Sequence, residues 1–172
     1  LSDDTLLDDL LGDDLVNERD LPVRADDSRG VAEVACAMVE YADVGAVGDA
    51  LDAEEREVLE ALARPGVPVV ESFSQVDAQP LVTGVHDHRA NESWVAEVRR
   101  DALPDRGLAS AWVLDFTSDR PCHPERLRDA IAVLGGGPRR SRGCFWLPSR
   151  PGQVCVWDGA GGQLSVGSTE AW

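Results

Sequence analysis

The chain has 172 residues, 43% of them hydrophobic, and a formal net charge of −16. That is enough apolar material for one core or two small ones, and a surface so acidic repels nucleic acid and anionic lipid, which argues against both as partners. All sixteen basic residues are arginine, so the chain contains no P-loop lysine, Schiff-base lysine or lysine general base.

Leu6, Leu7, Leu10 and Leu11 form an apolar stripe among aspartates and predict a short helix. In "DSRGVAEVACAMVEYAD", Val31, Val34, Ala35, Met38 and Ala42 recur at helical spacing. Asp27 or Ser28 is the expected N-cap, with Cys36 and Met38 as packing residues. "VGAVG" at 44–48 predicts a buried strand. "DAEEREVLEALARPG" opens with Asp52 and carries Glu55 three residues on, a capping box, and stops at Pro65–Gly66. "VPVVESF" at 67–73 predicts another strand. This alternation predicts a partial parallel sheet with crossover helices over residues 1–74. Residues 75–106 are polar and read as a linker with a helix around "ESWVAEVRRDAL". "LASAWVLDFTS" (108–118) predicts a strand. Residues 124–134 predict a helix burying Leu127, Ala130, Ile131 and Leu134, stopped by Gly135–Gly137. "GCFWLPS", "QVCVWDG" and "GQLSVGS" are short strands between Pro/Gly turns. Residues 107–172 thus form a second, α+β unit with a small antiparallel sheet and a packed helix. The fold class is α/β followed by α+β. No C-x-x-C occurs among the four cysteines, and no apolar run approaches twenty residues. The expectation is a soluble, cytoplasmic chain with reduced thiols.

Several stretches carry a family resemblance. Arg120-Pro121-Cys122-His123-Pro124-Glu125-Arg126-Leu127 resembles the R-P-F-H-P-x-R-L signature of the C-terminal domain of CobW-like GTPases. Arg140-Ser141-Arg142-Gly143-Cys144-Phe145-Trp146-Leu147 resembles that domain's R-S-K-G-F-x-W-L strand, and Trp157 with Ala160-Gly161 its W-x-x-A-G ending. Upstream, residues 29–43 are similar to a nucleotide-domain helix reading R-x-V-A-E-x-x-x-x-Q-x-E-x-A-D, with Met38 in place of Gln. The resemblance makes residues 1–74 the latter half of a P-loop GTPase-like domain. It implies a metallochaperone or metal-homeostasis factor using GTP, Mg and a transition metal such as zinc or cobalt. The family's Walker A loop and Cys-x-Cys-Cys motif would lie before Leu1. Its guanine-reading Asn-Lys-x-Asp falls on Gly48, Asp49, Ala50 and Leu51. Leu51 can accept no hydrogen bond from guanine, and Asp49 places a negative charge where the lysine belongs. Loss of such a charge-assisted pair costs on the order of a few kcal/mol, so this chain is expected to bind no cofactor of its own and not to hydrolyse GTP.

Cys122–His123 admits three readings: part of a metal site, a nucleophile–base dyad, or a helix entrance. Adjacent residues in a tight turn rarely reach one ion, and no third catalytic group is in view. Pro124 suits the first helical position and Glu125 complements the helix dipole, which favours the entrance, with Cys122 a small hydrophobe and His123 a cap. Arg120, Arg126, Arg140 and Arg142 are either bridged locally to residues such as Asp119, Glu125 and Asp129, or a patch for an anion or for docking toward the upstream domain. His86 and His88, two apart, could share a metal if the segment is extended, or be solvated loop residues.

The reading that joins these is the C-terminal portion of a CobW-like metal-homeostasis protein, serving protein interaction or regulation, with a partner protein or metal-requiring client. The alternatives are the back half of a longer active GTP-binding metallochaperone, or a free-standing metal-binding module. An incomplete parallel sheet exposes an edge, so self-association through residues 44–73 is also expected.

Overall fold

The computed structural model describes residues 6–20, 22–48, 50–84, 86–97, 99, 101, 103 and 107–170. Helix α1 (Leu6–Leu11) carries the leucine stripe, and Leu6 and Leu10 are buried. Helix α2 (Val31–Glu40) lies against α1. Its buried face is Ala32, Ala35, Cys36 and Glu40, with Val39 packed beside it. That face is rotated from the expected one. Met38 is 64% exposed and is not a packing residue. Small side chains let α2 approach α1 closely, and the larger residues turn outward. The helix is also not capped by Asp27 or Ser28: its N-cap is Gly30, while Asp27 holds the Arg29 guanidinium.

Strands β1 (Gly45–Ala46) and β2 (Val69–Val70) pair in parallel, shorter than expected. Between them runs α3 (Ala53–Leu62). Its capping box is present: Glu55 N donates to Asp52 Oδ1 at 2.8 Å and Asp52 N to Glu55 Oε2 at 2.9 Å. Leu59 and Leu62 of α3 complete one core with α1, α2 and Ala160.

Residues 75–106 carry more structure than a linker. Helices α4 (Ala78–Thr83) and α5 (His88–Glu97) form there, the second starting four residues earlier than expected. Helix α5 is fastened to the body by Trp94, which is buried and donates from Nε1 to Leu62 O at 3.2 Å.

Helix α6 (Pro124–Gly135) precedes an antiparallel sheet of β3 (Arg140–Phe145), β4 (Gln153–Ala160) and β5 (Gln163–Glu170), in that order. The β4–β5 turn is Gly161–Gly162, with Ala160 opposite Gln163. Gly161 has φ +54°, and a Cβ there would collide with the Gly12 backbone at the end of α1. The hairpin tip therefore sits directly on the first helix, which only glycine permits. Two expectations fail in this unit. Residues 108–118 form no strand, because no neighbouring strand offers them a ladder. Ile131 and Leu134 of α6 stay exposed, so its apolar stripe is only partly covered.

Candidate functional site

The parity of β3 places Arg140 and Arg142 on one face. The register puts Asp158 of β4 opposite Arg142 and so on that face too. This face meets the C-terminal end of α2, where Glu40 is 3% exposed. Arg140 donates from Nε to Glu40 Oε1 at 2.7 Å and from Nη2 to Oε2 at 3.1 Å, a two-pronged fork. Its third nitrogen, Nη1, donates to Asp158 Oδ1 and to Gly159 O. Arg142, with a side chain 5% exposed, brings Nη1 to 3.0 Å from Glu40 Oε1. Arg99, just beyond α5, donates from Nη2 to Asp158 Oδ2 at 2.7 Å. Four segments of the chain thus bring together three guanidinium groups and two carboxylates.

The electrostatics follow from burial set against pairing. Burial by itself would raise the Asp158 pKa, but the hydrogen bonds and fields of Arg140 and Arg99 hold it below the usual carboxylate range. Burial likewise opposes the charge on Arg140, and the Glu40 and Asp158 carboxylates overcome it and push its pKa up. For Arg142 burial wins and its pKa falls, with Glu40 only partly offsetting. Cys36 lies beside the cluster, donates from Sγ to Leu10 O at 3.2 Å, and has its thiol pushed up to about 12 by burial. It is not a nucleophile. A cavity of about 400 Å³ borders the cluster, lined in part by Tyr41, Val95, Arg99, Arg140, Asp158 and Gln163. The cluster holds no paired nucleophile and base. What it does is tie α2 to the C-terminal sheet.

A second polar cluster sits at the other side of α2. Asn91 is fully buried; Nδ2 donates to Tyr41 O at 3.0 Å and to Asp43 Oδ1 at 3.2 Å, and Oδ1 accepts from Arg64 Nε at 2.9 Å. Arg64 Nη2 also donates to Asp43 Oδ1 at 3.1 Å. His86 Nδ1 lies 2.6 Å from Asp43 Oδ2. His88 does not extend the same segment: it begins α5 and places Nε2 3.3 Å from Glu92 Oε1. The two rings are 6.0 Å apart, each beside a different carboxylate.

The other sequence-derived residues are dispersed. Gly48 and Ala50 are exposed, and Leu51 packs against the core. Asp49 lies outside the described residues. Cys122 N donates to Trp146 O at 2.9 Å, tying the helix entrance to the end of β3. His123 is the N-cap of α6, and its Nδ1 accepts from Arg126 N at 3.5 Å, a weak bond. Pro121 is half-buried, whereas Pro124, Arg120 and Arg126 are exposed. Arg120 and Arg126 stand apart from Arg140 and Arg142, so the four arginines do not form one patch. Gly143 and Trp146 stand in and just after β3, both half-buried. Among the described residues no group of three or more His, Cys, Asp and Glu side chains could hold a metal ion. Sequence reasoning missed Glu40, Asp158 and Arg99 as partners of Arg140 and Arg142. A glutamate on the buried side of α2 was the available signal.

Comparison with known proteins points to one family for the C-terminal residues. Residues 111–172 match the family model of the cobalamin synthesis protein cobW C-terminal domain. The chain is 29% identical over 161 residues to a zinc chaperone of Mycobacterium tuberculosis, which covers 91% of this chain and 38% of that protein. An uncharacterized protein of Mycobacterium bovis is similar to the same extent. Zinc-regulated GTPase metalloprotein activator 1 of Dictyostelium discoideum is 25% identical over 170 residues, covering 91% of this chain and 36% of that protein. The chain spans less than two-fifths of the length of these curated relatives. No solved structure matches it.

Proposed function

We propose that this chain is the C-terminal portion of a CobW-like metal-homeostasis protein, acting in the cytoplasm through protein interaction or regulation and not itself hydrolysing GTP. The supporting observation is the buried fork from Arg140 to Glu40, with Arg142 beside it. The R-S-R-G strand of the C-terminal domain is anchored to the last residue of α2. A client or partner engaging the C-terminal sheet can therefore bias the position of α2, and an event in the upstream unit can bias the sheet. Zinc enters as cargo, on the strength of what the relatives are named for. The missing lysine and the leucine at position 51 are the grounds for leaving hydrolysis out.

The test is growth of the source organism under zinc chelation with the coding segment disrupted. A defect that added zinc relieves, and that a Glu40→Gln copy fails to complement while the wild-type copy does, is the expected result. Growth indifferent to the disruption at every zinc level refutes the reading. A second reading draws on the partial coverage of the relatives: this chain would be the back half of a GTP-hydrolysing metallochaperone. An immunoblot of the source cells separates the two. A band at 18.5 kDa removes the second reading, and one about two and a half times as large, the length ratio of the relatives, supports it.

A further inference from the structure

The arginine cluster has more donors than acceptors. Every carboxylate oxygen in it is taken. Glu40 Oε1 faces Arg140 and Arg142, and Oε2 faces Arg140. Asp158 Oδ1 accepts from Arg140 and Oδ2 from Arg99. Arg99, by contrast, is engaged through Nη2 alone among the described residues. Its Nε is buried without a hydrogen-bond partner there, while the side chain as a whole is 33% exposed. A guanidinium carries five N–H donors, so most of this one has no acceptor. The charges agree: three arginines stand against two carboxylates, a surplus of one positive charge. An acceptor brought to Arg99 would relieve both imbalances.

We propose that the cavity beside the cluster binds a small organic monocarboxylate, its carboxylate on the Arg99 guanidinium and its apolar body against Val95 and Val156. Arg99 lines this cavity of about 400 Å³, and Tyr41, Val95, Val156 and Leu164 give it apolar walls. That volume lies in the range of small-molecule sites, which pair apolar walls with a few polar groups. Val95 lies one turn before Arg99, and Val156 shares a sheet face with Asp158. A body leaving the guanidinium therefore meets both. A planar carboxylate matches the guanidinium fork, and its single charge matches the surplus of one; a phosphate dianion would exceed it. Glu33 also lines the cavity and is exposed. It precedes Glu40 by two turns of α2, ~10 Å along the axis. That is about one Debye length at physiological salt, so its charge is largely screened at the Arg99 end. This inference does not depend on the functional reading above.

Calorimetric titration of the full chain with sodium benzoate, against sodium chloride at equal ionic strength, tests it. Saturable binding of one benzoate per chain is expected, with inorganic phosphate weaker. Arg99→Met removes the charge-assisted bonds and should weaken benzoate roughly ten-fold or more. Ala37→Leu, at an exposed position of α2 that lines the cavity, should fold as the wild type does and weaken benzoate by filling the space. Arg24→Met removes an arginine that is 87% exposed and outside the cavity, and should leave the affinity unchanged. Absence of saturable benzoate binding overturns the proposal. So does an equal loss in Arg24→Met and Arg99→Met, which would make the effect one of net charge. Phosphate bound as tightly as benzoate overturns the monocarboxylate assignment. If circular dichroism shows Arg99→Met unfolded, an unchanged affinity in Ala37→Leu overturns the site on its own.

Discussion

Replacing Glu40 by glutamine keeps the shape of the side chain and removes its charge. In the native chain its carboxylate accepts the Arg140 fork at 2.7 and 3.1 Å and stands 3.0 Å from Arg142 Nη1. The variant leaves three guanidinium groups facing one carboxylate, Asp158, and the new amide points a donor at donors. Removing one partner from a buried ion pair costs ~3–5 kcal/mol. The whole stability of a domain is only ~5–15 kcal/mol, so this is a large share of it. For a chain of this size the loss lowers the thermal midpoint by roughly 6–20 °C. Urea unfolding followed by tryptophan fluorescence at fixed protein concentration measures the loss. The reasoning makes a further demand. Arg140→Met together with Glu40→Met should cost less than the two single changes summed, because neither partner of the fork is then left facing the gap of the other, although Arg142 still loses Glu40. A loss below ~1 kcal/mol for Glu40→Gln, the range of exposed pairs, refutes the account, as does simple additivity of the methionine substitutions.

Acid should unfold the chain in a defined window. Asp158 and Asp43 both have pKa values held below the ordinary carboxylate range. For each, burial acts upward and is overcome, by Arg140 and Arg99 for Asp158, and by His86 and Asn91 for Asp43. Their stabilisation is present above the ordinary carboxylate pKa near ~4 and is lost as pH falls through the lowered values. Stability from these groups should therefore be level from neutral pH down to ~5 and decline below ~4, and Asp158→Asn should flatten the decline. Asn91→Ala removes a wholly buried amide that bridges Tyr41, Asp43 and Arg64. It should cost ~2–3 kcal/mol in the same urea assay, and a loss within error would mean the bridge carries nothing. Zinc titration of the His86→Ala/His88→Ala double variant should give the wild-type stoichiometry, since each ring is beside a separate carboxylate; a lost equivalent would establish a site there.

Periodicity and caps made the local elements legible, while the face each helix buries depended on distant partners. The Asp52–Glu55 box and the Pro124 entrance are short-range chemistry, written within four residues. The choice of buried face on α2 is not. Its hydrophobic spacing pointed to Met38, yet the face that wins carries Ala32, Ala35, Cys36 and Glu40. Those residues permit close approach to α1 and supply the carboxylate that Arg140 requires from 100 residues away. Residues 108–118 show the converse. Their β-propensity is plain, but a strand exists only when a partner supplies its ladder, and none of the described residues does.

The same logic bears on the ionic part of the join, which stands beside the apolar core that Ala160 shares with α1 and α2. An apolar contact of similar area would hold α2 to the sheet at least as firmly, because burying three cations and two anions is costly even when they are paired. What the ion cluster adds is direction. The guanidinium fork of Arg140 fits one carboxylate orientation, so it fixes how α2 is rotated as well as how close it lies. The surplus cation, Arg142, makes that orientation sensitive: any motion that draws Glu40 away leaves Arg142 buried without its counter-charge. A join built this way favours one seating of α2 on the sheet and penalises departures from it.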